Sequence, residues 1–219
     1  MALSKVNFNS MNVTPSASKA IKFNSSNNGL ETGDIAGSLV LLATQTASSS
    51  ATLSFVNGSS DVVLDSTYKE YVFTFKDIHP SVNNGALSFQ GSTDGGSSYG
   101  VTMTSTIFNA YHNEAGNDAA LSYESGDDIA QGTGFQKLQR SCGIDNDMCT
   151  VGMLHLFNPS STTLVKHFIS TCNGSWAAPG SEDGHVAGYF NTTSAINAIQ
   201  FKMHSGNIDV GDICLYGIL

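Results

Sequence analysis

Short runs in which apolar and polar residues alternate recur along this chain, divided by clusters of Ser, Thr, Asn and Gly. That two-residue period predicts β-strands, with one face buried and one solvated. The run 68–78 is the clearest: Tyr71, Phe73 and Phe75 fall on one side, and Val72, Thr74 and Lys76 on the other. His79 and Pro80 stop it, because proline has no N–H for the ladder. Similar runs cover 39–46, 51–55, 86–90, 101–110, 151–157, 164–171, 186–191, 199–204 and 213–218. In the run 199–204, Ile199, Phe201 and Met203 share a face opposite Gln200, Lys202 and His204.

Turn chemistry punctuates these runs. Asp94, Gly95 and Gly96 supply the positive φ angles of a tight turn, which predicts a hairpin between 86–90 and 101–110. Asn158-Pro159-Ser160-Ser161 reads as a second turn. Ser205-Gly206-Asn207 and Gly211 bracket the connection of a C-terminal hairpin. Residues 112–148 are rich in Gly and Asp and weakly periodic. They read as a long loop with one helical turn near 119–123, and loops of that length usually serve function or contacts. The fold class expected is all-β: an antiparallel two-sheet β-sandwich, jelly-roll-like, with a barrel as the alternative. No fixed-period repeat is present, which argues against a propeller or a β-helix.

Residues 1–34 differ from the rest. The stretch 24–29 is a polar spacer, and the apolar residues before it, including Phe8 and Phe23, are isolated. Two readings stand: a mobile leader, or an extended arm that orders against a neighbour with Phe8 and Phe23 as anchors. The expected division is an arm over 1–34 and a sandwich domain over 35–219.

Composition narrows the partners. Only 12% of the 219 residues are charged, and 18 acidic against 9 basic side chains give a formal net charge of -9. Arg140 is the only arginine and the lysines are scattered, so the clustered cations that neutralise phosphates are missing. This argues against nucleic acid and against anionic membrane surfaces. No run approaches the roughly 20 apolar residues of a membrane span. The start Met-Ala-Leu-Ser-Lys has neither an apolar signal core nor a cleavage site. Synthesis in a reducing cytoplasm is expected, with Cys142, Cys149, Cys172 and Cys214 as free thiols.

Candidate chemistry is sparse. Asp145-Asn146-Asp147 offers hard oxygen ligands to calcium but lacks the Gly and Glu of a calcium loop, so Asp145 and Asp147 are weak metal candidates beside an ordinary Asx-turn. Cys142 and Cys149, with His155 nearby, do not match zinc spacing. His155 and His167 are candidate cross-strand neighbours. No G-x-S-x-G motif and no phosphate-cradling loop occur, and no cofactor is implied. The carboxylates Glu114, Asp118, Glu124, Asp127, Asp128, Glu182 and Asp183 read as solvated loop charges. Trp176, Tyr111, Tyr123 and Tyr189 are candidates for stacking on a sugar ring, or for plain packing contacts. Trp176 lies in a Gly- and Pro-containing stretch, 173–184, that reads as an exposed loop.

Several stretches carry a resemblance. They are Asn191-Thr192-Thr193-Ser194-Ala195-Ile196-Asn197-Ala198-Ile199, Ser205-Gly206-Asn207-Ile208 and Leu215-Tyr216-Gly217-Ile218. With Asp65-Ser66-Thr67-Tyr68-Lys69-Glu70-Tyr71 and Ser92-Thr93-Asp94-Gly95-Gly96-Ser97, the wording resembles structural proteins of tailed bacteriophages, especially marine ones. The likeness covers most of 38–219 and consists of turn-and-strand signatures. It implies a non-enzymatic virion protein assembled in the host cytoplasm: a tail-fibre or tail-appendage module, or alternatively a head-decoration protein. The implied partners are other virion proteins and further copies of the chain, with a trimer expected. A further alternative is a receptor-recognition module that contacts a host surface glycan through Trp176 and Tyr189. The resemblance assigns no catalytic residue, so no enzyme activity is expected.

Overall fold

A computed structural model describes residues 13–14, 19–26, 28–33 and 38–219. Fourteen strands and no helix form among them. The chain divides into two units at Ser38/Leu39. In the first, β1 (Ala20–Phe23) and β2 (Leu30–Gly33) pair antiparallel, from Ala20 opposite Gly33 to Phe23 opposite Leu30. The Asn24 N–H donates to the Gly29 carbonyl at 2.9 Å, which closes the hairpin between β1 and β2.

The second unit begins with β3 (Leu39–Ser50), β4 (Leu53–Val56), β5 (Glu70–Pro80) and β6 (Leu87–Ser92). It continues through β7 (Met103–Asn113), β8 (Ala119–Tyr123), β9 (Gln136–Lys137) and β10 (Thr150–Phe157). It ends with β11 (Lys166–Trp176), β12 (Gly180–Phe190), β13 (Ala198–Met203) and β14 (Ile208–Ile218). An eight-stranded sheet runs β3-β14-β5-β10-β11-β12-β7-β8, and a four-stranded sheet runs β4-β13-β6-β9. All the strand pairings are antiparallel.

Eight of these strands make a jelly roll. Without β7-β8 and β11-β12, the sheets read β3-β14-β5-β10 and β4-β13-β6-β9. The chain then changes sheet at every step except β6 to β9, which pair with each other. That is the double Greek key of a jelly roll. The two remaining hairpins are insertions, one after β6 and one after β10. They pair with each other along eleven positions, from Gly180 opposite Asn113 to Phe190 opposite Met103, and so widen one sheet by four strands.

The sandwich expectation holds, and so do most of the strands. The two predicted hairpins do not form. Gly95 and Gly96 do take positive φ values of 73° and 82°, but β6 and β7 enter different sheets, as do β13 and β14. Between β13 and β14 the jelly roll itself crosses from one layer to the other, and after β6 the chain crosses to enter the inserted hairpin, so a tight turn does not imply pairing. Residues 119–123 form a strand, not a helical turn: Phe108 to His112 of β7 pair with Tyr123 to Ala119. Pairing with a neighbour overrides the helical leaning of the Ala-Ala-Leu stretch. Most of 173–184, read as a loop, is the paired ends of β11 and β12 around a short turn.

The core lies between the sheets and is built around aromatic rings. Phe201 of β13 packs edge-on against Phe73 and Phe75 of β5 and Phe55 of β4, with centroids 5.1, 5.3 and 6.1 Å away. Phe89 of β6 meets Phe168 of β11 at 5.0 Å and Phe190 of β12 at 6.0 Å, which ties the inserted strands to the small sheet. Phe168 lies over Gly188, where an added Cβ would meet its ring at 2.6 Å. Truncating Phe201 would leave a cavity shared by both layers. Phe201→Ala is expected to cost about 3–5 kcal/mol in urea unfolding, and Phe201→Leu clearly less. A cost under about 1 kcal/mol for the alanine variant would refute the hub role.

Candidate functional site

The inserted strands create two distinct surfaces, and their alternation decides what each presents. On β11, Lys166, Phe168, Ser170, Cys172 and Gly174 point inward and are buried, while His167, Ile169, Thr171 and Asn173 point outward. On β12, the inward positions alternate small and large: Gly180, Glu182, Gly184, Val186, Gly188 and Phe190.

The inward surface is covered by residues 129–142, which are hydrogen-bonded to both sheets. The Ser105 N–H donates to Ile129 O at 2.8 Å, Leu138 N–H to Leu87 O at 2.8 Å, and Cys142 N–H to Gly85 O at 2.7 Å. Gln139 rests on the bare backbone of Gly174 and Gly184 and donates from Nε2 to Thr150 Oγ1. Glu182 sits in this layer, 1% exposed, and accepts hydrogen bonds from the Arg140 and Ser141 N–H groups at 2.7 and 3.3 Å. It is therefore not the solvated loop charge that the composition of 173–184 suggested. Burial holds its carboxyl above the ordinary value, against the lowering effect of those two N–H groups. Asn109, also 1% exposed, has no hydrogen-bond partner for either amide atom among the described residues. Lys166, fully buried, donates to Thr192 O at 3.0 Å, and desolvation lowers its pKa.

Trp176 and Tyr189 are not brought together. Trp176 pairs with Gly180 and shares the inward parity of Gly174, whereas Tyr189 pairs with His167 on the outward face. Nine positions of β12 separate them, about 30 Å along the strand. Trp176 packs edge-on against Tyr111 at 5.3 Å. It lines an open concavity of about 380 Å³ with Asn84, Asp127, Lys137, Arg140 and Ser141. The one tryptophan and the one arginine of the chain thus share a surface, beside the Lys137–Asp127 ion pair at 2.7 Å. Tyr189 borders a shallow outward groove of about 420 Å³ with Thr104, Thr106, His167, Ile169 and Ala187.

The other candidates fall elsewhere. His155 is opposite Ile169, one step diagonal to His167, and is hydrogen-bonded to Glu70. Asp147 lines a concavity of about 410 Å³ with Asp77, His79, Cys149 and Asp209, while the Asp145 carbonyl lies 3.3 Å from His79 Nε2. No group of three or more His, Cys, Asp or Glu among the described residues is arranged to hold a metal ion. All four cysteines are free, and burial pushes the Cys172 thiol up to about 12. Phe23, at the end of β1, is 72% exposed, while Phe8 lies outside the described residues. The sequence reading missed Glu182 and Arg140. For Glu182, the four-residue spacing of Gly180, Gly184 and Gly188, which puts all three on one face of an extended chain with Glu182, is the signal that would have marked a strand.

Comparison with protein-family models, with curated proteins and with solved structures found no match to this chain.

A raised folded-state pKa means that Glu182 lowers stability once pH exceeds the ordinary carboxyl value of 4.5, and the penalty grows until the folded group ionises. Glu182→Gln keeps the Oε1 acceptor and removes the charge. It is expected to raise Tm by a few degrees at about pH 8, with the gain vanishing at about pH 4, where both side chains are neutral. An equal Tm difference at both pH values in calorimetry would contradict this.

Proposed function

We propose that this chain is a non-enzymatic structural module of a tailed-bacteriophage virion, in a tail fibre or tail appendage. The carrying observation is where the two insertions go. Each adds strands to one sheet of a jelly roll, and together they broaden a surface instead of walling a deep cleft. A broad sheet face serves contacts with other proteins, while the jelly roll serves as a rigid carrier. The step from module to virion rests on the turn-and-strand resemblance, an analogy of wording and fold and not of a site. Head decoration is the neighbouring reading of the same surface.

A second reading has its own observation. The concavity shared by Trp176 and Arg140 pairs an aromatic ring with an exposed guanidinium, a combination suited to a host-surface glycan. Tyr189 does not contribute to it.

The test of the first reading is location. A map of intact particles should contain this chain; density at the tail supports the fibre or appendage, and density over the capsid lattice supports decoration. Deleting residues 1–38 should leave a β-domain with unchanged far-ultraviolet dichroism that no longer joins the particle. Particles that lack the chain altogether would refute the assignment. For the second reading, glycan-array binding should be lost in both Trp176→Ala and Arg140→Gln, and binding unchanged in either variant would dispose of it.

A further inference from the structure

The outward face of β10, β11, β12, β7 and β8 is unusual for a surface exposed to water. These five strands contain three formally charged residues: Lys166, Glu182 and Asp183. Lys166 and Glu182 point inward and are buried. That leaves one outward carboxylate, Asp183, and it is already paired with His185 at 2.9 Å. Large apolar side chains stand on the same face: Val151, Met153, Ile169, Phe108, Leu121 and Tyr123, between 41% and 71% exposed. The register makes them neighbours. Met153, Thr171, His185, Phe108 and Tyr123 form one row across five strands, and Val151, Asn173, Asp183, Ala110 and Leu121 form the next. The Phe108 ring stacks on His185 at 4.9 Å, which flattens the centre of the first row.

We infer that this face packs against the same face of a second copy of the chain, across a two-fold axis. Charge is the first argument for that occupant. The chain carries a formal net charge of -9, so most approaches of one copy to another bring like charges together. This face is a place where close approach meets few of them: its one outward carboxylate, Asp183, is hydrogen-bonded to His185, and the Asp128 carboxylate reaches only its edge, at the Tyr123 hydroxyl. Area is the second argument. Five strands at about 4.8 Å spacing and about 30 Å of length give roughly 700 Å² of face, close to the roughly 800 Å² per partner of a stable interface. Geometry is the third. A two-fold contact sets the same patch against itself, and two sheet faces stack at about 10 Å with interleaved side chains. The groove beside Tyr189 gives the face a recess for a protruding side chain of the other copy. The inference does not rest on the virion reading.

The experiment is sedimentation of the full chain at concentrations up to about 100 µM, for wild type, Ile169→Glu and Phe108→Glu. The wild type should sediment at twice the chain mass. Either glutamate places a like charge near its symmetry mate in a desolvated layer, and should weaken the pair by about 100-fold or more. Both substitutions point to solvent in the single chain, so far-ultraviolet dichroism and Tm should stay those of the wild type. Leu164→Glu, in the connection before β11 and 60% exposed, should leave the dimer intact. A wild type that is monomeric throughout would overturn the inference. So would an oligomer of any size that survives both glutamates, which would put the contact on another surface. Monomers that bind neutral phosphatidylcholine vesicles, and lose that binding in Ile169→Glu, would overturn it in favour of a lipid occupant.

Discussion

The edge-to-face packing of Phe201 against Phe73, Phe75 and Phe55 is the interaction on which the architecture depends. A four-stranded layer over an eight-stranded one has little intrinsic reason to hold one position. Interlocked rings give the two layers a fixed registration, since displacing one ring displaces its neighbours. The second cluster, Phe89 with Phe168 and Phe190, extends the same principle beyond the jelly roll. It fastens the inserted strands, which join the large sheet through the pairing of β11 with β10, against the small sheet as well.

What lies beyond that aromatic spine is supported differently. Over the far half of the inserted strands the small sheet gives way to an irregular segment, and the packing turns polar. Glycines at 174 and 184 make room for Gln139, and backbone N–H groups hold Glu182. A layer built this way holds by directional hydrogen bonds more than by apolar area, and it places Trp176 and Arg140 on its rim. The outward side of the same strands is the reverse: apolar, nearly uncharged and open. One set of strands thus separates a polar interior from an exposed apolar surface.

Strand identity was legible in the sequence wherever the two-residue period was marked by large side chains. Tyr71, Phe73 and Phe75, and Ile199, Phe201 and Met203, point as their alternation says. Sheet membership was not legible. Asp94-Gly95-Gly96 is a real turn with Asp94 held ionised down to about 2 by the Ser92 and Ser98 hydroxyls, yet its flanking strands part to opposite layers. Local chemistry specifies a turn; only the burial of distant faces decides what each strand pairs with. Alternation was also hidden where its small member is glycine, as along 180–188, so a strand there passed for a loop and its buried carboxylate for a solvated one. Of the candidate sites, Trp176 and Tyr189 could be singled out as rings, but not their opposite faces. The outward patch was invisible, because Phe108 and Leu121 come from one hairpin and Ile169 from a strand far along the chain, and only the pairing of β12 with β7 and β11 brings them to one face.

The place of β14 has a consequence for how the molecule comes to exist. It lies between β3 and β5, with Ile218 opposite both Leu39 and Glu70. Residues 39–80 therefore emerge from the ribosome with a gap in their own sheet, which stays unfilled until residues 208–218 have also emerged. During that interval β3 and β5 expose pairing edges, and β3, with no charge and no proline along its length, has little to discourage a wrong partner. Productive folding of this domain is thus a matter of waiting: its yield is set by how well the early strands stay unpaired until the late one arrives.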